Sequence, residues 1–152
     1  MNLDLRLAKK DDQELLFKWR NDGVARHESR HTGPIGWEEH KQWFDRALTS
    51  GESVIAIAEL ESVPVGTVRA DLLPDDHVEI SYTIASQFRG QGLSKPMVKK
   101  FVQMFLGEKK IVAHIKRGHI PSESVASALG LQPVSEERSE DPDDDRPMVE
   151  WR

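Results

Sequence analysis

Apolar and polar residues alternate at the start of the chain, with Leu3, Leu5 and Leu7 set against Asp4, Arg6 and Ala8, the period-two pattern of a half-buried strand. Asp11 followed three residues on by Glu14 marks a helix start, and Leu15, Leu16 and Trp19 form a helical stripe that fades before Gly23. Residues 24–36 are polar and punctuated by Gly33 and Pro34, after which Trp37, Lys41, Phe44 and Leu48 recur at helical spacing up to Gly51. Residues 54–58 are a continuous apolar run of strand length, and residues 65–73 carry Val65, Thr67 and Val68 around a strand glycine. With Asp75 and Asp76 as a turn, these strands are expected to pair antiparallel. Val78, Ile80, Tyr82 and Ile84 then alternate with Glu79, Ser81 and Thr83, so the next strand has one apolar and one polar face.

Beyond that strand, Leu93, Met97, Val98, Phe101, Val102 and Phe105 fall on one side of a 3.6-residue helix, with Pro96 in its first turn, where a missing N–H costs least. Residues 111–115 make another strand, residues 121–129 a short helix ended by Gly130, and residues 131–134 and 148–151 flank an acidic loop. The order predicts an α/β chain of the α+β kind: a mixed, largely antiparallel sheet flanked by about four helices, without an internal repeat.

Composition narrows the function. At 152 residues the chain is read as one domain, 1–152, and its 38% hydrophobic and 31% charged residues suffice for a single core. No apolar run approaches the roughly 20 residues of a bilayer span, and residues 1–8 alternate instead of forming a signal-peptide core, so a cytoplasmic protein is expected. Zero cysteines exclude disulfides, thiolate zinc sites and a cysteine nucleophile. A formal charge of -5 argues against nucleic acid and for a small-molecule or peptide partner, bound by a monomer or homodimer.

The informative stretch is Gln87, Phe88, Arg89, Gly90, Gln91, Gly92, Leu93 and Ser94, between an apolar strand and an amphipathic helix. Gly90 and Gly92 remove side chains so that main-chain N–H groups can converge on an anion, and the helix beginning near Gly92 adds its unpaired amides and positive dipole end. Arg89 can add a charge-assisted contact at the rim of this diphosphate cradle. A dinucleotide fingerprint would need a third glycine where Lys95 stands, and a P-loop would need a Gly-Lys-Ser or Gly-Lys-Thr ending that the chain lacks. Taken alone, the two glycines are equally compatible with a plain strand-to-helix turn.

Residues 84–94 resemble the acetyl-CoA motif of the GNAT N-acetyltransferase superfamily: Gln or Arg, two residues, Gly, one residue, Gly or Ala, with strand and helix on the correct sides. Residues 119–131, from His119-Ile120-Pro121-Ser122 to Ala128-Leu129-Gly130-Leu131, resemble a second segment of that family, usually Asn, two residues, Ser or Ala, then a helix ending Leu-Gly-Phe. The resemblance covers nearly the whole chain. It implies acetyl-CoA as acyl donor and a sheet splayed open after Ile84, with the pantetheine arm bonded to the backbone around Ile84 and Ala85.

Attack of a neutral amine on the thioester needs a base, a donor for the developing oxyanion and a proton for the departing thiolate. Glu79, on the polar strand face, is the candidate base, with a pKa expected to be raised by burial; an ordinary ion-paired carboxylate is the other reading. A backbone N–H near Ile84 is the expected oxyanion donor. Ser122 matches a family position that organises the thiolate end, or caps its short helix. His119 stands where the family commonly has Asn, and Ala126 where many members have a proton-donating Tyr; the chain's one tyrosine is Tyr82, assigned to the acceptor side. Water, Ser122 or His119 would then return the proton.

The segment Trp19-Arg20-Asn21-Asp22, Arg26, Ser29 and residues 34–44 is rich in hydrogen-bonding and aromatic groups. It resembles the amino-terminal part of a bacterial GNAT subgroup acting on nucleotide-linked aminosugars, including pseudaminic-acid pathway acetyltransferases. That likeness places Trp19, Arg20, Asn21, Arg26 and His40 at an amine acceptor, although the tryptophans could equally be core. An acetyltransferase of peptide amino termini or small amines, and a non-catalytic coenzyme-A-binding module, are the rival readings. His27, Glu28 and His31 match a bare H-E-x-x-H pattern, but the segment lacks an apolar stripe and a third ligand, so no metal is expected. Residues 136–145 are expected to be a solvated acidic hairpin loop, or an attractor for cationic acceptors.

Overall fold

The structure, a computed structural model, describes residues 2–30 and 32–152. Seven strands, β1 (Leu3–Leu7), β2 (Ser53–Leu60), β3 (Val63–Leu72), β4 (His77–Ile84), β5 (Lys110–Lys116), β6 (Pro133–Glu137) and β7 (Met148–Trp151), form one sheet in the order β1-β2-β3-β4-β5-β7-β6. Every neighbouring pair is antiparallel except β4 and β5. The helices are α1 (Gln13–Arg20), α2 (Gly23–Glu28), α3 (Trp37–Thr49), α4 (Ser94–Phe101), which continues through a wide π turn at Val102–Leu106, and α5 (Ile120–Ala128).

Side-chain alternation sorts the sheet into two apolar layers. On one face Val68, Ala70, Ile80 and Ile84 meet Met97, Val98 and Phe101 of α4; on the other, Ile55 and Ile57 meet Leu16 and Trp19 of α1 and Phe44 of α3. Met97, Phe101, Phe44 and Ile57 are completely buried, so the helical stripes read in the sequence do face the sheet.

Three local expectations change. The first helix is preceded by a 3-10 turn at Lys10–Asp12, and the residue that organises it is Asp12 rather than Asp11: its carboxylate accepts from the Lys9 amide at 2.9 Å and from both terminal nitrogens of Arg6 at 2.8 Å. The polar stretch after Gly23 contains α2, a fifth helix, because Asp22 accepts from the Ala25 amide at 3.0 Å and so caps it. The acidic segment is more than a solvated loop. Asp144 and Lys116, 6% and 4% exposed, pair at 2.9 Å, and Arg146, Glu137 and Asp141 bond to Glu28, Arg30 and Thr32, strapping the segment onto α2 and the residues after it.

The feature that creates a site is the one parallel pairing. β4 and β5 are in register only over His77, Val78 and Glu79 with Lys110, Ile111 and Val112, and from Ile80 onward they part. The opening thus begins within β4, earlier than the expected point after Ile84.

Candidate active site

The parting of β4 and β5 opens a cavity of about 720 Å³ whose wall runs from the glycine loop to α2, within the range of small-molecule sites. Gly90 and Gly92 adopt left-handed φ angles of 76° and 73°, and nothing lies within 4 Å of where a Cβ would sit. Glycine is needed there for conformation and for close approach to the main chain. Among the described residues the amides of Gly90, Gln91, Gly92, Leu93, Ser94 and Lys95 donate to no protein acceptor, whereas Met97 already closes the first helical turn onto the Leu93 carbonyl at 3.0 Å. This is a group of free donors at the positive end of α4, suited to a diphosphate. Gln87 and Gln91 are exposed on the loop and Phe88 packs between both core layers.

Two coenzyme contacts need correction. The Ala85 amide donates to the Val65 carbonyl at 2.8 Å and the Ala85 carbonyl already accepts from Phe88 at 2.9 Å, so Ala85 has no amide to offer a coenzyme. Alternation of an antiparallel ladder turns the main-chain groups of Ile84 and Tyr82 the other way, towards the gap. Arg89 is not free at the rim: its Nη2 pairs with Asp22 at 2.6 Å, and although burial opposes ionisation of that carboxyl, Arg89 and the Ala25 amide hold it below its ordinary value.

On the polar face of β4, Glu79 Oε2 lies 3.1 Å from His114 Nδ1 of β5, and His114 Nε2 lies 3.1 Å from Glu150 Oε1 of β7. Both contacts are hydrogen bonds only when both ring nitrogens carry hydrogen, so the cluster favours an imidazolium between two carboxylates. The hydrogen bond from His114 depresses the Glu79 pKa despite burial, and Glu79 in turn raises that of His114. Glu79 is therefore not the burial-raised carboxyl expected from its strand position. His114 and Glu150 were not candidates in the sequence, where they are merely polar strand residues.

At the α4–α5 side, the Tyr82 hydroxyl donates to Ser122 Oγ at 3.2 Å and also contacts Ser94, and burial pushes its pKa up. The tyrosine assigned to the acceptor thus reaches towards α4 and α5, where Ala126 lines the same wall. Ser122 lies inside α5 and does not cap it; His119 occupies the cap, 3.7 Å from Glu28.

The acceptor wall is sparser than expected. Trp19 is a core residue of α1. Asn21 braces the chain before α3, its side chain bonding the Ile35 carbonyl at 2.9 Å and amide at 2.7 Å. His40 is completely buried, and Arg26 lines the cavity while donating to the Asn21 and Thr32 carbonyls. Arg20 lines the cavity with Trp43, which belongs to the aromatic stretch expected there, and with Arg69, which the sequence did not point to. Of the H-E-x-x-H residues, His31 lies outside the described residues and Glu28 is taken by Arg146 at 3.1 Å.

The acetyltransferase (GNAT) domain family model matches residues 2–132. The chain belongs to the GNAT acetyltransferase family, and its enzyme class is that of an N-acetyltransferase. No curated protein matches it in sequence. Similar folds include ribosomal-protein-alanine N-acetyltransferase from Brucella melitensis, with TM-score 0.82, 19% identity and 97% and 96% of the two chains covered. Spermidine N-acetyltransferase from Vibrio cholerae, in complex with CoA and spermine, has TM-score 0.85, 13% identity and coverage of 98% and 93%. A phosphinothricin acetyltransferase from Sinorhizobium meliloti, in complex with AcCoA, has TM-score 0.83, 18% identity and coverage of 99% and 87%.

Proposed function

We propose that the protein transfers the acetyl group of acetyl-CoA to a primary amine that enters from the α2 side of the splayed sheet. The observation that carries this reading is the set of unpartnered amides at Gly90 to Lys95 opening on the same cavity as the Glu79–His114–Glu150 cluster. The coenzyme would supply the activated acetyl group, its diphosphate held at the glycine loop and its extended arm along Ile84 and Tyr82 in the gap. That two solved relatives in fold carry CoA or AcCoA supports the assignment.

The amine must lose a proton to become a nucleophile. Glu79, directly or through water, takes that proton as a member of the carboxylate–imidazole–carboxylate cluster, which becomes the competent base once His114 is neutral. The Ile84 amide is placed to stabilise negative charge that develops beside the gap. Tyr82, kept protonated by burial and bonded to Ser122, returns a proton to the leaving sulfur. Its hydroxyl bonds Ser122, one turn before Ala126 on α5, so Ser122 acts with Tyr82, while His119 braces α5 against Glu28.

Among amine acceptors, a nucleotide-linked aminosugar is the specific candidate; of the Trp-Arg-Asn residues whose sequence likeness suggests it, Arg20 is the one that lines the cavity. Acetyl-CoA incubated with nucleotide-aminosugars, peptides and polyamines, with release of free thiol followed, tests both levels. Thiol release that depends on one amine class establishes the activity; bound coenzyme A with no release for any amine refutes transfer.

A further inference from the structure

The chain has a formal charge of -5, yet six cationic side chains, Arg20, Arg26, Arg30, Arg69, Arg89 and Lys116, line the cavity against two carboxylates, Glu28 and Glu79. Four of the six have an acidic partner: Arg30 with Glu137, Arg69 with Asp71, Arg89 with Asp22 and Lys116 with Asp144. Arg20 has none among the described residues. Its guanidinium donates through Nη1 to His40 Nδ1 at 3.0 Å, and His40 Nε2 donates to the Gln13 carbonyl at 2.9 Å. A carbonyl can only accept, so the hydrogen of the ring sits on Nε2 and His40 is neutral, in keeping with burial that lowers its pKa.

Arg20 and Arg69 also share one indole. Their guanidinium carbons lie 4.3 and 5.0 Å from the Trp43 ring centroid. Arg69 gives only its Nε to Asp71, at 2.9 Å, and its two terminal nitrogens have no acceptor among the described residues. The Nε and Nη2 of Arg20 are likewise unengaged. Burial, and then the neighbouring charge of Arg69, work against the Arg20 cation and outweigh the more weakly felt carboxylate of Glu39. Two like charges that repel each other, both half-buried against the Trp43 ring and one of them bonded to a neutral histidine, leave unengaged donors for an anion. Stability alone would have been better served by a carboxylate there.

We propose that Arg20 and Arg69, both packed against Trp43, form an anion subsite for the acceptor, so that the amine acetylated by this enzyme also carries a carboxylate or a phosphate. The word acceptor rests on the transferase reading above; the anion site itself does not. The pair faces the same cavity as Glu79, so one small molecule can present its amine to the base and its anion to the arginines. A polyamine would instead meet two guanidinium groups, a like-charge penalty.

Matched acceptors test the proposal: glucosamine 6-phosphate against glucosamine, phosphoethanolamine against ethanolamine, and 4-aminobutyrate against 4-aminobutanamide, each with acetyl-CoA. The anionic member of a pair should have the higher kcat/KM by about tenfold, and Arg20→Gln should remove most of that advantage while Arg20→Lys keeps part of it. Preference for phosphates alone, or for carboxylates as well, identifies the anion. Turnover without any anionic preference overturns the subsite and leaves the transferase reading intact. In parallel, the Arg20 Nε–H signal, identified by its loss in Arg20→Gln, is followed by NMR during titration with inorganic phosphate and with acetate. A saturable shift without turnover of any amine supports the anion site and refutes the transferase reading; no saturable shift with either ion overturns the site. Circular dichroism checks folding, and Arg69→Gln replaces Arg20→Gln if the latter fails to fold.

Discussion

The two halves of the cavity are made of different material. The half proposed for the coenzyme is main chain: six consecutive amides without protein partners among the described residues and two glycines at left-handed φ, where no side chain intrudes. The half proposed for the acceptor is side chain: the Glu79–His114–Glu150 cluster drawn from three strands, and the Arg20–Trp43–Arg69 group drawn from α1, α3 and β3. A main-chain site depends on local conformation and tolerates replacement of neighbouring side chains. The carboxylate–imidazole–carboxylate cluster fails when one member is lost, because its partners are left half-buried with uncompensated charge.

Substitutions in each half should separate binding from turnover. The largest effect is expected for Glu79→Gln, which removes the proton acceptor: kcat should fall by about 10²- to 10⁴-fold while acetyl-CoA affinity, read by calorimetry, stays within about twofold. A kcat close to that of the parent protein would remove Glu79 from the base role. In the other half, Gly92→Val forces a β-branched residue into a left-handed conformation at about 1–2 kcal/mol and crowds the free amides. Calorimetry should show acetyl-CoA affinity weakened by roughly tenfold or more, and affinity unaltered by valine would mean that the loop does not hold the coenzyme.

A smaller and more diagnostic effect concerns pH. The raised pKa of His114 means that the cluster keeps its proton below the ordinary histidine value of 6.5 and releases it only as pH rises through the higher folded-state value. The rate profile of kcat/KM should therefore climb along a limb centred above pH 6.5. Glu150→Gln, which removes one of the carboxylates that raise it, should move that midpoint down towards 6.5. A midpoint indifferent to Glu150 would separate His114 from the base. The smallest effect is expected for Arg89→Ala. With its Nη2 already committed to Asp22 in a partly exposed pair worth about 0–1 kcal/mol, its loss should weaken acetyl-CoA binding only by a few-fold in the same titration.

The same division explains what could be read in the sequence. Period-two and 3.6-residue patterns located β4 and α4 because burial on one face is written in consecutive residues, and the glycine pair located the loop because left-handed main chain demands a particular residue at a particular place. Helix α2 escaped because it buries no side chain and is held by the Asp22 cap. His114 lies 35 residues from Glu79 in sequence, and only the short parallel register of β4 with β5 brings them together. Trp19 and His40 look like exposed recognition groups in a string of polar residues, yet the packing of α1 on α3 buries both. Asp144 reads as one charge in an acidic run, and its burial against Lys116 depends on the chain returning across α2.

The most direct test is a crystal structure of the protein with coenzyme A. The diphosphate should lie on the amides between Gly90 and Lys95, and the thiol should sit between β4 and β5 within hydrogen-bonding reach of the Tyr82 hydroxyl. Coenzyme bound outside that gap, or a sulfur remote from both Tyr82 and Glu79, would contradict the account.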